Sequence, residues 1–398
     1  MDMIETTRAL IRMPTVSRDS NRQLIDYVAG LLEQKGYRAR LQYSPDGAKA
    51  NMVVTIGPPD VAGVVLAGHS DVVPVENQQW SHPPFDPVVR DARLYGRGAC
   101  DMKGFVGVVL ARLLALDPAT LARPLHLVLT YDEEVGCGGA KALMQDVAAL
   151  LPVAPLYCVV GEPTNMEVLA AHKGMRIFHT TVTGVPGHSS IPVGTASAVA
   201  IAARLIDCLA GMGEEMATRP AHGVPAFTYP FTTVNVGTVQ GGDAVNIVAP
   251  YAHFTWEYRY PPGQDRNEIL RRFEVRAAEL LAPYQAAGMS AVTVNTDEIS
   301  EIPPLGHACG HDQALDPLLA RHYHGRGADY CAEAGLYQQG LGCPVVLCGP
   351  GSITQAHKQD EYVTLAQLEQ CDRFIGDIIR ACQLAEAAEP AATILCAE

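Results

Sequence analysis

Four apolar runs of this sequence each end in a side chain that can bind a cation or move a proton. The run 64–67 leads through Gly68 to His69-Ser70-Asp71, and the run 127–131 leads to Asp132-Glu133-Glu134. The run 157–160 leads through Gly161 to Glu162, and the run 345–348 leads through Gly349-Pro350-Gly351 towards His357. A single histidine after a strand is more often an ordinary surface or core group. Four coinciding ends need another reason, because ligands of an open α/β sheet bind beyond the carboxyl ends of its strands. Asp101 joins the set from a glycine-punctuated turn, Gly96-Arg97-Gly98-Ala99-Cys100-Asp101-Met102-Lys103-Gly104. Two imidazoles and three carboxylates are hard and borderline donors that suit zinc, cobalt or manganese rather than a thiolate metal site. Three carboxylates packed together raise one another's pKa unless cations neutralise them. Two divalent ions bring four positive charges, which Asp101, Glu134, Glu162 and one hydroxide cancel. A bridged pair of ions roughly 3.5 to 4 Å apart both activates water and polarises a carbonyl.

These residues need a scaffold, and the hydrophobic pattern supplies one. Residues 21–35 place Leu24, Val28, Leu31 and Leu32 at helical spacing, with Asp19 or Ser20 as the expected N-cap and Gly36 as the stop. The runs 51–56, 64–67, 125–130 and 156–160 read as strands buried on both faces, and 105–116 and 140–151 as helices between them. That alternation is an α/β sheet covered on both sides. The texture changes near Gly174. A strand at 175–183, a helix at 196–209, strands at 232–239 and 253–259, a helix at 267–281 and a strand at 291–295 give the order β-α-β-β-α-β of a small open sandwich. The run 344–348 and a final helix at 365–384 return to the first style. The expected organisation is a catalytic domain in two parts, 1–175 and 298–398, interrupted by an inserted domain at 176–297.

Composition excludes several function classes. The chain of 398 residues carries 29 Lys plus Arg against 43 Asp plus Glu, a net charge of −14, which disfavours grip on nucleic acid or an anionic membrane surface. With 48% apolar and 18% charged residues it is not a disordered polyelectrolyte. The longest apolar candidate for a membrane span, 105–116, is cut by Arg112. The start, Met1-Asp2-Met3-Ile4-Glu5, has no secretory pattern, and 11 cysteines without a Cys-x-x-Cys pair suggest reduced thiols in a cytoplasm. No Gly-x-Ser-x-Gly elbow points to a serine hydrolase.

His69-Ser70-Asp71-Val72-Val73-Pro74, Gly96-Arg97-Gly98 with Asp101-Met102-Lys103-Gly104, Asp132-Glu133-Glu134-Val135-Gly136, Gly161-Glu162-Pro163-Thr164 and His357 together resemble the M20 family of zinc-dependent amidohydrolases and exopeptidases. The likeness runs over nearly the whole chain. It implies a mixed-sheet α/β catalytic domain of the zinc-peptidase kind, with an inserted ferredoxin-like (βαββαβ) domain acting as lid and homodimer surface. It implies two divalent ions, zinc with cobalt as the alternative: Asp101 would bridge them, His69 and Glu162 would complete one site, and Glu134 with His357 the other. Asp71 would fix the tautomer of His69. Glu133 would be the general base, taking a proton from the attacking water and returning it to the leaving amine. His188, in Gly187-His188-Ser189-Ser190, would reach across a dimer to the tetrahedral oxyanion, the alternative being a surface turn histidine. The family also implies a cis peptide after Asp101. Glu133 and Glu134 can share a site only if their strand has ended, since strand neighbours point to opposite faces; Gly136, Gly138 and Gly139 favour that ending.

Within the family, the stretch 349–362, the Gly187 to Ser190 turn and Gly241-Gly242-Asp243-Ala244-Val245-Asn246 are similar to deacetylases that act on Nα-acetyl-L-ornithine. The implied reaction is release of acetate and L-ornithine, a step of arginine biosynthesis. Arg259, followed by Tyr260-Pro261-Pro262-Gly263, looks like the family's clamp for a substrate carboxylate, although aspartate is commoner where Glu257 stands. Asn246 would hydrogen-bond substrate or simply shape a turn. Glu333, after an alanine where threonine is commoner, would receive the cationic δ-amine or serve as a helix-start carboxylate. The same machinery would serve another N-acyl amino acid or a dipeptide, such as succinyl-diaminopimelate. A catalytically silent amino-acid or peptide binder would have lost ligands or base, and here all five ligands, Asp71 and Glu133 are present.

Overall fold

The computed structural model describes residues 2–221, 226–306 and 316–384. The fold is mixed α/β, and its residues divide into two compact units, one of 2–170, 316–324 and 332–384, the other of 171–221, 226–306 and 325–331.

In the first unit the apolar runs form a six-stranded sheet in the order Ala39–Tyr43, Ala50–Ile56, Leu125–Thr130, Val64–His69, Tyr157–Val160, Val345–Leu347. The last four are mutually parallel and the first two pairings are antiparallel, so the sheet is mixed. Val64–His69 and Leu125–Thr130 are buried at every residue, which is why they read as unbroken apolar runs rather than as alternation. The helix Lys103–Ala115 is buried almost all round, packing against Met3–Ile11 and the final helix Leu365–Leu384. Its approach to the first helix requires a glycine: a Cβ on Gly107 would lie 2.1 Å from Thr7 Oγ1. At the same crossing the buried Lys103 amine donates to the carbonyls of Leu10 and Met13, satisfying the end of the first helix.

The second unit has strands Gly174–Thr183, Thr233–Gly241, Tyr251–Tyr260 and Thr293–Ile302 with helices Ala198–Ala217 and Glu268–Ala286. The sheet is antiparallel, ordered Thr293–Ile302, Gly174–Thr183, Tyr251–Tyr260, Thr233–Gly241, the ferredoxin-like arrangement. Tyr251–Tyr260 alternates strictly between buried and less buried residues, placing Phe254, Trp256 and Tyr258 in the core with Phe178 and Phe273.

Some local expectations differ from the structure. The helix expected at 140–151 breaks at Asp146 into Gly138–Gln145 and Val147–Leu150. The second helix begins at Arg22 with Asn21, not Asp19 or Ser20, at the cap position. Asn21 makes no cap bond because its amide is committed elsewhere, donating to Ala50 O and Ser70 Oγ and accepting from Ala50 N–H. The strand expected at 291–295 runs from Thr293 to Ile302. Among the described residues no helix is long and apolar enough to cross a membrane. The nine described cysteines are free thiols; Cys309 and Cys396 lie outside the described residues.

Candidate metal centre

Because Leu125–Thr130, Val64–His69, Tyr157–Val160 and Val345–Leu347 are parallel, their carboxyl ends share one edge, and the chemistry-bearing residues leave from it. His69 is the last residue of its strand, Glu162 lies two residues beyond Val160, and Glu134 lies four beyond Thr130. Asp101 enters from the turn before the helix Lys103–Ala115, where the Asp101–Met102 peptide is cis, as the family resemblance implies. His69 Nε2 lies 3.0 Å from Asp101 Oδ1 and 4.0 Å from Glu162 Oε1. His357 Nε2 lies 3.3 Å from Asp101 Oδ2 and 3.0 Å from Glu134 Oε2. Ligand atoms of His69, Asp101 and Glu162 fall within 4.8 Å of one another, as do those of Asp101, Glu134 and His357. The two clusters share Asp101, with one carboxylate oxygen turned to each.

The electrostatics follow from crowding acids out of water. Burial pushes Glu133, Glu134 and Glu162 above the ordinary carboxyl range, and the neighbouring carboxylates add to it. Burial acts on Asp101 in the same sense, but hydrogen bonds with His357 and His69 outweigh it and hold this carboxyl below its usual value. His357 is raised to about 10 by its bonds to Asp101 and Glu134. Glu162 Oε1 is buried with no hydrogen-bond partner among the described residues, a costly state for a carboxylate oxygen. Two nitrogen and three carboxylate donors, arranged as two triplets around a shared aspartate, fit a pair of divalent ions.

Glu133 and Glu134 sit beside one site because the strand ends at Thr130 and Asp132 turns the chain with φ 58°, where it pairs with Lys49. Asp71 secures the turn: its Oδ1 accepts the Glu133 N–H at 3.1 Å and its Oδ2 accepts the Glu134 N–H at 3.3 Å and the Ser17 hydroxyl at 2.7 Å. Asp71 also meets the imidazole: His69 Nδ1 donates to its backbone carbonyl at 2.9 Å, with the carboxylate at 3.7 Å, which leaves Nε2 to face the site.

Residues that sequence reasoning misses complete the support. Glu361 Oε1 accepts the N–H groups of Cys100 and Asp101 at 2.8 and 3.1 Å, and Oε2 takes Arg97 Nη1 at 2.6 Å; both side chains are buried. The signal in the sequence is Arg97 in its Gly-Arg-Gly turn and Glu361 four residues after His357, but nothing in sequence pairs residues 264 apart.

Glu333 has no exposed surface, and Thr130 Oγ1 donates to both its oxygens at 2.7 and 2.9 Å. Burial raises it to about 7. It stands at the cap position of Ala334–Leu341 but makes no cap bond.

In the second unit the segment of His188 pairs with that of Asn246: Ser189 N–H donates to Asn246 O, and His188 bridges Ile247. Both side chains are exposed. His188 Nδ1 receives the Ser190 N–H at 3.2 Å and faces Ser190 Oγ at 2.7 Å, which leaves the ring proton on Nε2. Arg259 forms a two-pronged pair with Glu257, Nε to Oε1 at 3.1 Å and Nη2 to Oε2 at 3.3 Å, with Nη1 turned to Cys331 Sγ at 3.9 Å.

A model of peptidase family M20/M25/M40 matches residues 65–381. A Proteus mirabilis protein named acetylornithine deacetylase is 32% identical over 398 residues, covering 97% of this chain and 98% of its own. One of the same name from Yersinia pestis is 33% identical over 393 residues, covering 94% and 96%. Among solved structures, an M20 family metallo-carboxypeptidase from Sulfolobus solfataricus superposes with a TM-score of 0.73 at 17% identity, covering 97% of this chain and 100% of that one. At that identity the structural likeness speaks for the fold alone.

Proposed function

The chain belongs to peptidase family M20/M25/M40, a family of metal-dependent hydrolases, and from that premise we propose that it removes the acetyl group of Nα-acetyl-L-ornithine, giving L-ornithine and acetate. The observation that carries the two-metal reading is the carboxylate of Asp101 shared between the His69–Glu162 and Glu134–His357 clusters. The substrate rests on the name borne by relatives about a third identical along almost the whole chain.

Held by His69, Asp101, Glu134, Glu162 and His357, two divalent ions, zinc or cobalt, would supply Lewis acidity to the amide carbonyl and to water. The remaining roles belong to the chain. Glu133, raised by burial and neighbouring carboxylates, accepts the proton lost by water at attack and delivers it to the departing nitrogen. The Asp71 carboxylate keeps the Glu133 and Glu134 backbone in register with this task. Arg259, always charged and pre-aligned by Glu257, takes the substrate carboxylate, and His188 offers its Nε2–H to the oxyanion. Asn246 adds a hydrogen bond to substrate. Association of two copies through the second unit completes the proposed enzyme.

The test is amine release from Nα-acetyl-L-ornithine by chelator-stripped protein titrated with zinc or cobalt, beside N-succinyl and other N-acetyl amino acids. Restored activity strongest on acetylornithine supports the reading. Metal-restored hydrolysis confined to another acyl amino acid would leave the chemistry and reject the substrate.

A further inference from the structure

His357 is the odd member of the ligand set. Its side chain is half exposed, whereas those of His69, Asp101, Glu134 and Glu162 are buried. Its backbone lies in the left-handed region with φ 63°, which non-glycine residues adopt only when something holds them. Packing does not explain how this imidazole keeps its place 3.0 Å from Glu134 and 3.3 Å from Asp101.

We propose that Gln78 is a positioning residue for His357, fixing the backbone of that ligand and so the affinity of the ion held by Glu134 and His357. Gln78 Nε2 donates to the His357 carbonyl at 2.9 Å. The orientation of the amide is decided at its other end, where Oε1 accepts from Arg97 Nη2 at 2.6 Å and from Trp80 Nε1 at 3.1 Å. A flipped amide would set donors against donors. Arg97 is held in turn: Nη1 donates to Glu361 Oε2 at 2.6 Å and to the Lys358 carbonyl at 3.3 Å, Nη2 reaches the Pro74 carbonyl at 3.3 Å, and the guanidinium stands over the Trp80 ring at 5.0 Å. Glu361 carries the other branch, accepting the Asp101 and Cys100 N–H groups. A single buried Arg97–Glu361 pair therefore stands behind two ligands. One arm reaches Asp101 through Glu361, and the other reaches His357 through Gln78. Cutting the Gln78 arm leaves the Asp101 arm in place, so the two metal sites should respond unequally.

The inference rests on the two-metal reading and deepens it. Gln78→Glu keeps the acceptor that Arg97 and Trp80 use and removes the donor that His357 needs. Gln78→Met keeps the length and removes both. The experiment is equilibrium dialysis of the chelator-stripped full chain against Co2+, with the visible absorption of each bound ion recorded, beside His357→Ala as the reference for losing that site. Wild type is expected to take up two Co2+ per chain. Both Gln78 variants should bind one as wild type does and the other roughly 10- to 100-fold more weakly, the loss typical of removing a group that orients a ligand. The spectral component that weakens should be the one absent in His357→Ala, and the metal-free unfolding midpoint of Gln78→Glu, which keeps the acceptor of the buried Arg97, should not move. Unchanged affinities, equal weakening of both sites in Gln78→Glu, or a marked fall in its metal-free midpoint would overturn the positioning role. A wild-type chain that takes up no Co2+ would overturn the two-metal reading itself.

Discussion

Replacing Asp71 with asparagine isolates what its carboxylate does. The side chain is buried and serves three donors, with Oδ1 taking Glu133 N–H and Oδ2 taking Glu134 N–H and the Ser17 hydroxyl. An asparagine amide can keep its oxygen on only one of these sides. The better choice retains Ser17 and Glu134, and turns an NH2 towards the Glu133 N–H. One backbone donor is then left without an acceptor, which costs about 1–3 kcal/mol, and the remaining bonds lose their charge assistance. If that cost falls on the orientation of Glu133, kcat drops roughly 10- to 100-fold, since each 1.4 kcal/mol is a factor of ten. Bound metal should stay near the wild-type level, because His69 takes its tautomer from the Asp71 carbonyl, which the substitution keeps. The assay is steady-state hydrolysis with metal content measured on the same preparation. Loss of metal in step with loss of kcat would refute this reasoning and return the carboxylate to an imidazole-orienting role. Wild-type kinetics would refute it from the other side.

Glu133→Ala should retain metal and lose roughly 100- to 10,000-fold in turnover, and near-normal activity in that variant removes Glu133 from the mechanism. Gly107→Ala places a Cβ 2.1 Å from Thr7 Oγ1 and 2.7 Å from its Cα, so the helix pair must part; a loss of about 1–3 kcal/mol in denaturant unfolding is expected, and an unchanged midpoint would contradict the close approach. Acid should weaken the fold in part through His126, which burial holds down to about 4 against an ordinary 6.5. The unfolded chain takes up this proton at the higher value and the folded chain only at the lower, so the stability is present above pH 6.5 and lost as pH falls towards 4, by roughly 3 kcal/mol for the full shift. His126→Gln should flatten the dependence of unfolding free energy on pH across that window, and an equal slope in both proteins would count against it.

The parts of this molecule most legible in sequence are those where burial is complete. Val64–His69 and Leu125–Thr130 stand out as apolar runs because water reaches neither face, and the proposed ligands include the polar residues at and just beyond their carboxyl ends. Ala39–Tyr43 is hidden in the sequence because it is a half-exposed edge strand whose Arg40 and Gln42 interrupt any apolar pattern. The small sheet of Val88–Arg90, Arg93–Tyr95 and Tyr362–Thr364 is hidden because three-residue strands carry no periodicity, and its third strand comes from far along the chain. Asp71 shows another limit. Its spacing from His69 suggests the contact, but sequence cannot tell a carboxylate from the carbonyl of the same residue. Glu333 shows a third, since an acid before a helix reads alike whether it faces a ligand or is sealed against Thr130. The Gln78–Arg97–Glu361 relay joins three separate loops and becomes visible only when they meet.

Hydrolysis by two divalent ions held at the clusters that share Asp101 is tested most directly by counting zinc bound per chain while hydrolysis of Nα-acetyl-L-ornithine is monitored as zinc is returned to stripped protein. No turnover is expected without metal, with activity restored by zinc and binding saturating at two ions per chain. Undiminished hydrolysis after complete chelation, or saturation at a single ion with His357→Ala binding no less, would contradict it.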